Sequence, residues 1–101
     1  MTKVKIDRNE VGQINNFIVV GHAGYNPGED IVCSAISAIT QTAILGLAKF
    51  NIDIGLEDDD GFLSCQIKEV NQVSDHILET MLVGLKEIKK QYPENLKFIL
   101  D

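Results

Sequence analysis

Residues 31–48 contain no charged side chain. Apolar residues recur through them at helical spacing, with Val32, Ile36, Ile39, Ala43, Leu47 and Phe50 forming one stripe. The other faces carry Ser34, Ser37, Thr40, Gln41 and Thr42 beside Ala38, Ile44 and Leu45. A helix that faces water carries more charge than this. We therefore expect a helix over 31–50 that is covered on a second side, by another helix or by a second subunit.

What leads into this helix bears on chemistry. Phe17, Ile18, Val19 and Val20 form a run of β-branched and aromatic residues that reads as the end of a buried strand. Gly21, His22, Ala23 and Gly24 follow, and Pro27-Gly28 marks a turn. Asp30 then falls where a helix N-cap belongs, which places Cys33 in the first turn. The segment 24–29 (Gly24, Tyr25, Asn26, Pro27, Gly28, Glu29) reads as a short mobile cover, with glycine at each side and Tyr25 as its apolar anchor.

A strand end thus delivers the imidazole of His22, and a helix start delivers the thiol of Cys33. The thiolate is the nucleophilic form of cysteine. Unpaired N–H groups and the positive end of a helix both favour it. A neighbouring imidazole takes the proton, and the same N–H groups can hold the oxyanion of a tetrahedral intermediate. Asp30 opposes the thiolate unless it is paired, for instance with protonated His22. With a connecting loop of this kind, we expect the thiol and imidazole to lie beyond hydrogen-bond reach until substrate orders the segment. The bland reading is also open, since free cysteine is often a small core residue and a lone histidine near a strand end is often structural. Cys33 lies off the centre of the apolar stripe, in line with Ser37 and Thr40, which suits a reachable thiol better than a core one.

The rest of the chain supplies a scaffold. Val4 and Ile6 alternate with Lys3, Lys5 and Asp7, as in a half-exposed strand, and turn residues 9–12 lead to a second strand over 13–21. So short a connection implies an antiparallel hairpin. Residues 51–60 read as a linker ending in the acidic run Glu57, Asp58, Asp59 and Asp60. That run lacks the alternating ligand spacing of a calcium loop and reads as a solvated turn. From Phe62 to about Val70, Leu63, Cys65 and Ile67 alternate with Ser64, Gln66 and Lys68, which makes Cys65 a core residue. A second helix starts near 73–75 and ends around Tyr92, ahead of Pro93. Its expected buried stripe is Val73, Ile77, Met81, Leu85, Ile88 and Tyr92, with Asp75, His76, Glu79, Lys86 and Lys90 toward water. Residues 96–100 form a last strand. The order strand, strand, helix, strand, helix, strand predicts an α+β two-layer sandwich with a mixed sheet, in one domain over 1–101.

A net charge of −6 argues against direct nucleic-acid binding and suits a basic protein partner. No apolar run reads as long enough to cross a membrane, and the N-terminus lacks a signal-peptide apolar region, so a cytoplasmic setting is expected. His22, Cys33, Cys65 and His76 are zinc-ligand types, but their spacing is not that of a finger or ribbon, and we expect no metal or cofactor.

The pair of motifs Gly21-His22-Ala23-Gly24-Tyr25 and Asp30-Ile31-Val32-Cys33-Ser34-Ala35 resembles the signature of the Prp family, the bacterial ribosomal-processing cysteine proteases. The resemblance runs across nearly the whole chain. It implies a Cys33–His22 dyad with Gly21 and Asp30 in the same motif. It also implies removal of the N-terminal extension of a large-subunit ribosomal protein precursor, aromatic residues just before the cut, and a homodimer. Two other classes stay open on the residues alone: a non-catalytic assembly partner of a basic ribosomal protein, and a thiol enzyme of another kind, such as a transferase or redox sensor.

Overall fold

Alternation at the N-terminus does what a half-buried strand requires. In the computed structural model, which describes residues 1–21 and 27–100 and the side chains among them outside 27–30, β1 (Thr2–Arg8) turns Thr2, Val4 and Ile6 inward. It pairs antiparallel with β2 (Ile14–Val20), in the register Val4 opposite Val19. The connection is closed by Asn9, whose side-chain oxygen accepts from the N–H groups of Val11 and Gln13. The predicted hairpin is present.

Beyond it run α1 (Pro27–Lys49), β3 (Ile54–Asp59), β4 (Phe62–Ile67), α2 (Gln72–Gln91) and β5 (Leu96–Leu100). The sheet order is β3-β4-β2-β1-β5, with β5 parallel to β1 and the other pairs antiparallel. Val4, Ile6, Phe17, Leu63, Cys65 and Ile67 from the strands join the helix residues in one core. Each fully buried large side chain there contributes about 1.5–3 kcal/mol by leaving water. The expected α+β sandwich with a mixed sheet is the architecture found.

Several details differ from expectation, each for a physical reason. Strand β3 occupies residues expected to be linker. It is an edge strand whose Glu57, Asp58 and Asp59 are exposed, so neither hydrophobic alternation nor strand propensity marks it. Val20 is 43% exposed, and only Phe17 of its run is fully buried, because the helices cover a single face of the sheet.

Helix α1 begins at Pro27, so Pro27, Gly28 and Glu29 belong to its first turn and not to a loop. Proline is well suited to a first helical position, where its missing N–H costs nothing. The buried face of α1 is Val32, Ile36, Thr40, Ala43, Ile44 and Leu47, while Phe50 is 56% exposed beyond the helix end. Thr40 is admitted because its hydroxyl donates to the carbonyl of Ile36 at 2.9 Å. Residues Ile31–Lys49 are in fact long and apolar enough, by length and composition, to cross a membrane, which corrects the expectation from run length. Here they supply the helix that packs on the sheet core.

Helix α2 is better marked. Asn71 caps it, and Asn71 and Ser74 exchange side-chain to backbone hydrogen bonds at 2.9 and 3.0 Å as a capping box. Its buried side is Ser74, Leu78, Met81, Leu82, Leu85 and Ile88, rotated from the expected stripe so that Val73 is exposed. The rotation buries Leu78 and Leu82 and lets the Asp75 carboxylate accept from the Ile14 N–H at 2.8 Å instead of facing water. Arg8 clamps Glu79 with two hydrogen bonds at 2.9 and 3.1 Å, joining the end of β1 to α2. That hydrogen bonding holds the Glu79 carboxyl below the usual range. Being largely solvated, the pair contributes at most about 1 kcal/mol.

Candidate active site

Gly21 ends β2 with a φ of +147°, a conformation that favours glycine. A Cβ there would lie 2.6 Å from the Met1 carbonyl oxygen and 2.9 Å from Thr2 Cα. Its N–H donates to the Gly61 carbonyl at 3.0 Å. The absent side chain thus lets three backbone segments meet: the start of β1, the end of β2 and the turn of the β3–β4 hairpin. Gly61 closes that turn with a φ of +71°.

Over this junction lies the N-terminal part of α1, and between them is a cleft of about 260 Å³. Cys33, Ser37, Thr40 and Gln41 reach it from the helix, Thr2 and Val19 from β1 and β2, and Asp58, Asp59 and Asp60 from the hairpin. Cys33 is partly exposed, and its Sγ lies 3.5 Å from Thr2 Oγ1. The alignment of Cys33 with Ser37 and Thr40 expected from helical phase is what the cleft wall uses.

The start of α1 changes two expectations. Asp30 is the fourth residue of the helix, counting Pro27 as the first, and so is not its N-cap. A carboxylate in a first turn is still favoured by the helix dipole. Cys33 is the seventh residue by the same count and sits in the second turn. Its own N–H is therefore committed within the helix, since only the first four N–H groups of a helix lack an internal partner. The dipole is also weaker at this position than in the first turn.

His22 and the residues Gly24, Tyr25 and Asn26 lie outside the described residues, as does the predicted separation of thiol and imidazole. Among the described residues, the cleft lining carries three carboxylates and no cation. Asp59 is partly engaged, its carboxylate accepting from the Asp60 N–H at 2.8 Å. No group of three or more His, Cys, Asp or Glu side chains among the described residues is placed to hold a metal ion.

The second thiol is set apart. Cys65 is 0% exposed, on the inward face of β4 as expected, and burial pushes its thiol up to about 11. A thiol so placed is inert. Thr2 and the acidic hairpin were not legible as site residues. Thr2 stands 31 positions from Cys33 and meets it only through sheet order.

A second, larger hollow of about 620 Å³ lies between the helices. Ala38, Ala43 and Gly46 of α1 and Gly84 of α2 open it, Ile39, Ile77 and Met81 make it apolar, and exposed His76 borders it.

Comparison with known proteins agrees over nearly the whole chain. The family model of the cysteine protease Prp matches residues 1–97. The ribosomal processing cysteine protease Prp of Staphylococcus aureus is 36% identical over 104 residues, covering 96% of this chain and 96% of that protein. Its Bacillus subtilis namesake is 27% identical over 106 residues, covering 96% and 95%. A crystal structure of the essential S. aureus protease with a substrate peptide covers all of both chains at 28% identity, with a TM-score of 0.94. One with a covalently linked product peptide covers them equally at 29% identity and a TM-score of 0.91.

Proposed function

The chain belongs to the cysteine protease Prp family, and from that premise we propose that it is a thiol endopeptidase in which Cys33 is the nucleophile and His22 the general base. One observation carries the assignment of the nucleophile: Cys33 lines a cleft, while Cys65, the chain's other cysteine, is fully buried in the core.

The Cys33 thiol gives its proton to the His22 imidazole, and the sulfur attacks the scissile carbonyl carbon. The resulting oxyanion collapses to expel the amine, which takes the proton from the imidazolium. Water then enters, loses a proton to His22 and releases the acyl group from Cys33. Asp30, in the first turn of α1, belongs with Gly21 to the same motif and is assigned a supporting role.

The substrate is the precursor of a ribosomal protein, cut to remove an N-terminal extension in the bacterial cytoplasm. The relatives named above are ribosomal processing proteases. The net charge of −6 and the carboxylates of Asp58, Asp59 and Asp60 in the same cleft as Cys33 suit a basic substrate of this kind. A second copy of the chain is the proposed cover for exposed apolar residues of the helix layer, such as Leu45 at 69% and Val83 at 64%. The direct test incubates the precursor ribosomal protein with the wild-type chain and with Cys33→Ala. A discrete N-terminal fragment, found by mass in the first reaction and missing from the second, is the expected result. Intact precursor in both, despite stable binding, would favour the non-catalytic assembly partner.

A further inference from the structure

We propose that Thr2 is a positioning residue for the nucleophile, its hydroxyl donating a hydrogen bond to the Cys33 thiolate and fixing the direction of the sulfur. This rests on the assignment of Cys33 as nucleophile. The Oγ1–Sγ distance is 3.5 Å, within hydrogen-bond range for sulfur, and Thr2 is 4% exposed. While the sulfur is protonated, either atom can donate. Once it is a thiolate, the sulfur is acceptor only, and the hydroxyl must donate to it. A hydrogen bond to the charged form favours that form.

Thr2 is held where this contact needs it. Its N–H donates to the Asn95 carbonyl at 3.0 Å, and it pairs with Leu96 of β5. On its other side, the bare backbone of Gly21 passes close to its Cα. A β-branched side chain on so fixed a backbone has few rotamers to choose from, so the hydroxyl is aimed before substrate arrives.

The charged surroundings make such a donor consequential. Among the described residues, the titratable side chains that line the cleft with Cys33 are Asp58, Asp59 and Asp60 on β3 and the hairpin turn, and the α-ammonium of Met1 adjoins Thr2 in sequence. The cleft-lining ones are carboxylates, which oppose a thiolate. Cys33 also stands one turn too deep for a free helix N–H. The Thr2 hydroxyl is a neutral donor that works against both disadvantages.

The experiment measures iodoacetamide alkylation of Cys33, by mass of its peptide, from about pH 5 to about pH 10 in the full-length wild type, Thr2→Val and Thr2→Ser. The buried Cys65 peptide serves as control. Thr2→Val, which keeps the shape and removes the donor, should raise the alkylation midpoint by about one pH unit. Thr2→Ser should restore the wild-type midpoint. Superimposed profiles of wild type and Thr2→Val overturn the proposal, as does a Thr2→Ser midpoint that moves with Thr2→Val. A lowered melting temperature with an unmoved midpoint marks a purely structural role and also overturns it. Should Thr2→Val fail to fold, Thr2→Ala carries the same comparison. Cleavage by Cys33→Ala at the wild-type rate would instead sink the nucleophile assignment itself, so the two failures are distinguishable.

Discussion

Cys33 and Cys65 are the same chemical group in two settings, one at the mouth of a cleft and one inside the sheet's covered face. Around Cys65 the neighbours are core side chains, and burial without a charge partner raises the thiol to about 11. Cys33 meets the Thr2 hydroxyl, shares its cleft with the carboxylates of the β3–β4 hairpin, and keeps its sulfur partly open to solvent. The difference comes from position on the secondary structure. Cys65 occupies an inward place in the two-residue alternation of β4, whereas Cys33 stands on the flank of the α1 stripe. A thiol becomes usable when its backbone places it at the edge of the core and not within it.

The strongest way to break this contrast is to damage the junction under Cys33 while leaving the surroundings of Cys65 intact. Gly21→Ala should destabilise the fold by about 2 kcal/mol or more, since it adds a strained φ to clashes with the Met1 and Thr2 backbone. Cleavage should fall further than that loss of folded protein explains. Chemical denaturation together with a turnover assay checks this, and an unchanged turnover per folded molecule would count against the junction's role.

Neutralising the hairpin sharpens the contrast from the electrostatic side. Replacing Asp58, Asp59 and Asp60 with asparagine should lower kcat/KM for a basic substrate by about tenfold at low ionic strength. The gap should close as salt rises, with kcat little changed. Equal salt sensitivity of kcat and kcat/KM would argue against charge capture.

At neutral pH the smallest effect lies on the Cys65 side. An unfolded chain releases the Cys65 proton near its ordinary pKa of about 8.5, while the folded chain keeps it to about 11. The unfolded state therefore binds fewer protons in that window, and stability falls as pH rises through it, by about 2 kcal/mol at about pH 10. Below about pH 8 the effect vanishes. Denaturation midpoints of wild type and Cys65→Ala should run parallel at neutral pH and converge in alkali. Parallel curves throughout would mean that Cys65 is less well buried than described.

Legibility followed the same line between core and edge. The strands that alternate cleanly, around Val4 and Ile6 and around Leu63, Cys65 and Ile67, were readable because one face of each enters the core. The amphipathic character of α2 is readable in the same way, but its phase is not. A carboxylate usually faces water, so the pattern puts Asp75 there, whereas here it serves the Ile14 N–H. Strand β3 escaped because an acidic edge strand is held by pairing with β4 and carries no core pattern of its own. Pro27 reads as a turn because a proline that starts a helix and one that ends a loop look alike in sequence. Within the site, Cys33 stood out by local pattern. Thr2 and Asp58–Asp60 join it only through the sheet order β3-β4-β2-β1, which no local signal encodes.

The central claim, that Cys33 attacks the peptide bond, is tested most directly by trapping its acyl adduct. The protein is mixed with precursor ribosomal protein, quenched in acid during turnover, digested and weighed peptide by peptide. The account predicts a thioester-linked fragment of the removed N-terminal extension on the peptide that contains Cys33, and an unmodified peptide around Cys65. An adduct on Cys65, or steady cleavage in a Cys33→Ala chain, would contradict it.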